Sequence, residues 1–247
     1  MSDILCVTNR KLCRGYEDSS GHRASDTDMC GGIPALSEIS VLQKENGSGI
    51  GFAENAGYIE EREKLFLSQI DRIARCRPAG IILREKDLSE EEYRMLASQV
   101  MQICKQYGTR CILHSFADAA LELGADALHL PFPSLRALAP EKRRRFRVLG
   151  ASCHSAEDAR EAQALGCTYI TAGHIFATDC KAGLPGRGID FLREVCESVA
   201  LPVFAIGGIR QSNVSEVRRA GAAGACVMSG CMQCDDANAY LSGFSER

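Results

Sequence analysis

Residues 201–230 read LPVFAIGGIRQSNVSEVRRAGAAGACVMSG. An apolar run beginning at Leu201 ends in Gly207-Gly208. A polar stretch with helical patterning follows and stops at Gly221. A second apolar run then ends in Ser229-Gly230. An apolar strand closing on Gly-Gly gives a ligand close access to backbone N–H groups. A small Ser-Gly turn, with Asp235-Asp236 placed to open a helix behind it, adds a site attractive to an anion. The alternative reading is two tight turns with glycine at left-handed positions. Occurring as a pair on consecutive strands, Gly207, Gly208, Ser229 and Gly230 read as a phosphate cup.

Working outward, six further apolar runs precede this pair: ILCVT (4–8), AGIILR (79–84), TRCILH (109–114), ADALHL (125–130), RVLGAS (147–152) and CTYITAG (167–173). Helical segments separate them. Ser89 ahead of Glu90-Glu91-Glu92 and Ser155 ahead of Glu157-Asp158 are N-caps with an acidic first turn,. Gly108, Gly124, Gly166 and Gly221 each stand where a helix must stop before a strand,. Strands alternating with helices specify a parallel α/β protein. The regular spacing, and glycine-rich ends on the seventh and eighth strands, favour a closed (β/α)8 (TIM) barrel over a doubly wound sheet. The chain of 247 residues is the size of one such domain, so residues 1–247 read as a single barrel,. A long stretch, 14–58, rich in Gly, Ser, Asp and Asn, interrupts the rhythm after the first strand. It reads as an insertion on the ligand-binding face, either a lid or a segment without catalytic consequence.

Composition narrows the function. The net charge is −3, and the basic run Lys142 to Arg145, followed by Arg147, reads as a solvated helix end, so no nucleic-acid partner is expected,. There is no apolar run long enough to span a membrane and no signal-peptide pattern. The 13 cysteines have no framework spacing and read as reduced thiols,. A cytoplasmic protein without a membrane partner is expected, and a homo-oligomer is compatible with the sequence. The lone Cys231-x-x-Cys234 pair and the adjacent Asp179 and Cys180 lack the further ligands a metal site needs, so neither metal nor cofactor is expected,.

Three more segments carry chemistry. Arg84 and Lys86, in Leu83-Arg84-Glu85-Lys86 after the second strand, share a face if the strand continues and suit a substrate carboxylate or phosphate,. Gly150-Ala151-Ser152-Cys153-His154 ends the fifth strand with a hydroxyl and an imidazole. On the residues alone a structural role for His154 stays open. The stretch GHIFATDCKAGLPGRG (173–188) is a glycine-rich loop holding His174, Lys181 and Arg187, able to close on an anion,.

The segments LREKDLS (83–89), ADAALELGADALHL (117–130), GASCHS (150–155) and AIGGI (205–209), in this order, resemble the thiamine-phosphate synthase/TenI superfamily. The resemblance implies one of two activities. The synthase joins a pyrimidine pyrophosphate to a thiazole phosphate and uses Mg²⁺; the TenI branch aromatises a thiazole carboxylate phosphate tautomer without metal. The synthase pattern has Asn-Asp-Arg after the third strand and Gly-Gln-x-Asp after the fourth. This chain has His114-Ser115-Phe116 and Pro131-Phe132-Pro133-Ser134, and Ile82 where a pyrimidine-contacting Gln would stand. GHIFATDCKAGLPGRG and VMSG (227–230) look like the TenI branch. The resemblance thus implies a thiazole tautomerase taking a small-molecule thiazole phosphate. His154 would be its proton carrier, His174 a second candidate, and Arg84, Lys86, Ser152, Lys181 and Arg187 substrate contacts. A synthase borrowing acids such as Asp26 or Asp28 from the insertion, and a non-catalytic binder of thiazole or thiamine phosphates, are the alternatives.

Overall fold

The structure is a computed structural model describing residues 3–13, 51–178, 181 and 183–245; over 51–60 only the backbone is described. Eight strands, β1 (Ile4–Val7), β2 (Gly80–Leu83), β3 (Cys111–His114), β4 (Ala127–Pro131), β5 (Val148–Cys153), β6 (Tyr169–Gly173), β7 (Val203–Ile206) and β8 (Gly224–Val227), pair in parallel and in sequence order. β1 pairs with β8, Leu5 opposite Cys226, and the sheet closes into a barrel. The expected (β/α)8 barrel is therefore the fold, and each strand lies within its apolar run to within a residue.

Helices wrap this barrel: α1 (Gly51–Arg75), α2 (Glu90–Tyr107), α3 (Ala117–Glu122), α4 (Phe132–Ala137), α5 (Pro140–Arg143), α6 (Ala156–Ala164), α7 (Gly188–Ser198), α8 (Val214–Arg219), α9 (Ser229–Gln233) and α10 (Ala237–Ser242). The caps read from sequence are in place. Ser89 Oγ accepts from Glu92 N at 3.3 Å while Glu92 Oε2 accepts from Ser89 N at 2.9 Å, a reciprocal capping box. Ser155 Oγ accepts from Asp158 N at 3.0 Å. Gly108 stops α2 in the left-handed conformation, at φ 68°. No helix among the described residues is long and apolar enough to cross a membrane.

Two boundaries differ from the sequence reading. Residues 14–50 of the stretch read as an insertion lie outside the described residues, but 51–58 form the opening turns of α1 rather than loop. Its later turns bury Phe66, Ile70 and Ile73, a helical spacing that packs one stripe on the barrel,. At the other end, Asp235-Asp236 does not open the helix behind Ser229-Gly230. Ser229 itself begins α9, and Asp236 caps α10 instead, accepting from Ala239 N at 2.9 Å.

Side-chain alternation sorts the strands into two cores. Ile4, Ile81, Leu83, Leu113, Leu128, Leu149, Ile170, Val203 and Ala225 face outward into the layer beneath the helices. Leu5, Val7, Ile82, Ile112, Ala127, Tyr169 and Cys226 face inward and fill the barrel. Burying each large aliphatic side chain contributes roughly 1.5–3 kcal/mol. Gly150 is required by the inner layer: a Cβ there would fall inside the ring of Tyr169. Tyr93 of α2 ties two strand ends together, its hydroxyl donating to Leu83 O and accepting from His114 N, both at 2.8 Å. The inner layer stops short of the C-terminal strand ends, and a cavity opens there.

Candidate active site at the C-terminal end of the barrel

This cavity, about 1330 Å³, is lined by Arg84 and Lys86 after β2, Ser152 and His154 on and after β5, and His174 and Lys181 after β6. Gly207 and Gly208 after β7 and Ser229 and Gly230 after β8 complete the set. The sequence expectations thus converge from five separate strand ends. Arg187, also expected as a substrate contact, is placed differently. It does not line the cavity; its Nη1 donates to His154 O at 2.6 Å and its guanidinium lies over the Phe191 ring at 5.1 Å. Its charge is spent on the backbone behind the site. Asp179 and Cys180 lie outside the described residues.

On one side the wall is backbone. Gly207 and Gly208 have φ of 98° and 65°, where side chains are strained,. A Cβ on Gly207 would also collide with His174 Cβ, and one on Gly208 would come to 2.5 Å from Ala177 O. Their carbonyls are turned into the scaffold: Gly207 O accepts from Phe176 N at 3.1 Å and Gly208 O from Asn213 Nδ2 at 3.0 Å. Ser229 and Gly230 line the same cavity.

The other side is cationic. Arg84 beside it, then partial burial, then Lys181 hold the Lys86 ammonium below its usual pKa,. Mutual repulsion of this kind is relieved by an anion. Among the described residues that line the cavity there is no Asp or Glu. Glu85, between the two cations, points the other way, into Thr8 and Arg10, and is 3% exposed.

His154 is exposed at the rim. Its backbone N–H donates to Asp158 Oδ2 at 2.9 Å and its Nδ1 lies 3.0 Å from Gly173 O. A carbonyl only accepts, so Nδ1 carries the proton and Nε2 is the nitrogen left to exchange one with a ligand,. His174 is nearly buried, with Nε2 3.4 Å from Leu184 O and Nδ1 unpartnered among the described residues.

The floor of the cavity was not foreseen. His129 on β4 lies between Tyr169 Oη and Ser152 Oγ, 2.9 Å from each through Nδ1 and Nε2. Thr171 Oγ1 donates to Ser152 at 3.3 Å, and the His114 ring stacks on His129 at 5.6 Å. Burial, and then the Arg84 charge, push the His129 imidazole down to about 3, while burial and the neighbouring His129 hold His114 well below its normal value. Both rings are therefore neutral near pH 7. One signal could have revealed them: in TRCILH and ADALHL each His is in step with an inward residue, Ile112 or Ala127, two positions earlier,.

A closed parallel barrel with a large cavity at the C-terminal strand ends defines the class of protein. The profile of the thiamine monophosphate synthase family (TMP-TENI) matches residues 57–231, and the chain belongs to that family. A thiamine-phosphate synthase 2 of Streptococcus pneumoniae serotype 4 is 32% identical over 188 residues, covering 74% of this chain and 87% of its own. A thiamine-phosphate synthase of Syntrophomonas wolfei is 30% identical over 176 residues, 69% of this chain and 82% of its own. Among solved structures, a thiamine phosphate pyrophosphorylase from Pyrococcus furiosus superposes with a TM-score of 0.66 at 21% identity, covering 98% of this chain and 93% of its own. At that identity the likeness shows the fold. The relatives' names speak of the synthase and favour it over the tautomerase that the TenI-like segments imply; nothing in these comparisons points to the TenI branch.

Proposed function

We propose that this protein is an enzyme that acts on a thiazole phosphate, and that its reaction is tautomerisation of a thiazole carboxylate phosphate. The observation that carries the reading is the pairing of a rim imidazole, His154, with a cavity whose described lining holds cations and the paired glycines but no carboxylate. In this reading the substrate phosphate sits on Gly207, Gly208, Ser229 and Gly230. Arg84, Lys86 and Lys181 hold the carboxylate. Nε2 of His154 takes a proton from the non-aromatic ring, the released C–H electron pair moves into the ring as the exocyclic double bond opens, and the proton is returned to the exocyclic carbon; aromatisation supplies the drive. A positioned acid–base group of this kind contributes about 10²–10⁴-fold. Ser152, with its Oγ on His129, and His174 orient the ring.

The synthase is the second reading, favoured by the names of relatives up to 87% covered by the match and by a cavity of about 1330 Å³, large for one small ligand,. That chemistry implies Mg²⁺, a hard ion that takes oxygen ligands, carboxylates above all. The described donor set does not fit it. Ser115 and Ser134 stand where the synthase pattern has acids, and no group of three or more His, Cys, Asp or Glu among the described residues could hold a metal. Asp26 and Asp28 lie outside the described residues.

Turnover of the thiazole carboxylate phosphate tautomer in excess EDTA, followed by absorbance, tests the proposal. Rapid aromatisation is expected. Pyrophosphate release that needs Mg²⁺ and both synthase substrates, with no aromatisation, assigns the synthase instead. Silence in both assays assigns a binder.

A further inference from the structure

The buried carboxylate of Glu85 joins the ends of β1 and β2 beside the cavity. Its Oε1 accepts from Thr8 Oγ1 at 2.6 Å, and both its oxygens accept from Arg10 N, at 3.2 and 3.1 Å. Thr8 Oγ1 in turn accepts from Arg84 N at 2.9 Å, so a continuous chain runs from the backbone of one cavity cation to Glu85. Asp87 completes the tie, pairing with Arg10 Nη2 at 3.0 Å and with Lys11 Nζ at 3.1 Å. Together they pin the short 3-10 turn Arg10–Leu12, which packs against α9, the helix that begins with Ser229 and Gly230. Because side chains alternate, turning Glu85 into this clasp turns Arg84 and Lys86, on either side of it, towards the ligand,.

We propose that Glu85 is a positioning residue: its ionised carboxylate clasps the ends of β1 and β2 and so fixes Arg84 and Lys86 for an anionic substrate. The proposal rests on the reading that the cavity takes such a substrate. Glu85 is 77 residues from Thr8 in sequence, so the contact is tertiary and serves no local turn. The groups that face it are Arg10 and Asp87, with Cys13 and Tyr93 behind. Burial raises the Glu85 carboxyl to about 7 against three hydrogen bonds and Arg10, which favour the charged form. The clasp is thus charged above neutrality and weakened below it.

Inorganic pyrophosphate binding, measured by calorimetry at pH 8.5 and pH 5.5 for the wild type and Glu85→Gln, tests this. Any change in the probe's own protonation is common to both proteins, so the ratio of their affinities is the readout. A ratio of roughly tenfold at pH 8.5 is expected, the scale of one hydrogen-bonded charge, collapsing towards one at pH 5.5, where the wild-type carboxyl is protonated as well. Glu85→Asp should recover part of the loss at pH 8.5. If Glu85→Gln does not fold, Thr8→Val removes the same tie and should show the same pattern. A ratio near one at pH 8.5, an equal ratio at both pH values, or no binding by the wild type overturns the proposal. The expected pattern in a protein that turns over no thiazole phosphate keeps the clasp and rejects the function proposed above.

Discussion

His129 Nε2 lies 2.9 Å from Ser152 Oγ on the neighbouring strand, with Tyr169 Oη at the same distance from its other nitrogen. Both ring nitrogens are occupied by neutral hydroxyls, so the buried imidazole has no partner that would favour its protonated form. Its pKa is depressed to about 3, against about 6.5 for an unperturbed histidine,. Between those values the unfolded chain binds a proton that the folded chain refuses. Stability from this residue is therefore full above about pH 6.5 and is lost as pH falls towards 3. Urea midpoints from pH 7.5 to 4 should show that decline, and His129→Asn should flatten it by about one proton's worth of slope. An unchanged slope would mean that His129 is protonated in the folded state.

Tyr169→Phe leaves Nδ1 of His129 buried without its hydroxyl. The loss should be about 1–3 kcal/mol, read from urea unfolding at pH 7.5. A neutral result would show that water replaces the hydroxyl at the barrel floor.

Gly207→Ala places a side chain at φ 98° and against His174 Cβ. The backbone conformation alone costs about 1–2 kcal/mol, so a lower melting temperature is expected together with loss of inorganic phosphate binding. Intact phosphate binding in a destabilised Gly207→Ala protein would remove this strand end from the proposed cup.

His154→Ala should lower kcat for tautomerisation by about 10²–10⁴-fold with KM little changed. The side chain is exposed, so unfolding free energy should move by no more than about 0.5 kcal/mol. Full activity in this variant would transfer the proton step to another group, His174 first.

Among the described residues, the Arg187 side chain reaches the site through His154 O, at 2.6 Å. Arg187→Ala should reduce kcat several-fold, well short of the His154→Ala loss, and leave affinity for the substrate nearly intact. Arg187→Lys should restore part of it, since an ammonium can reach the carbonyl but lacks the planar fork that stacks on Phe191. A large rise in KM instead would return Arg187 to the role of a substrate contact.

Much of the site was legible because its residues sit at strand ends. Gly207-Gly208 and Ser229-Gly230 announce themselves by composition, and Arg84, Lys86 and His154 by polar residues that follow directly on apolar runs. The direction of Arg187 was not legible: a cation in a glycine-rich loop carries no mark of which way its side chain turns. His129 and Glu85 escaped notice because each is a single polar residue between others that better fit the pattern.

Taken alone, the sequence determined the barrel and the face on which a ligand binds. Period-two apolar runs, caps and glycine stops are local, and eight parallel units close in only a few ways. Only the tertiary structure decided that His129 lies on Ser152 and that Glu85 lies on Thr8, 77 residues away. Such contacts depend on register between strands and on the direction a buried polar group must turn to find its partners, and neither is written in the spacing of residues along the chain.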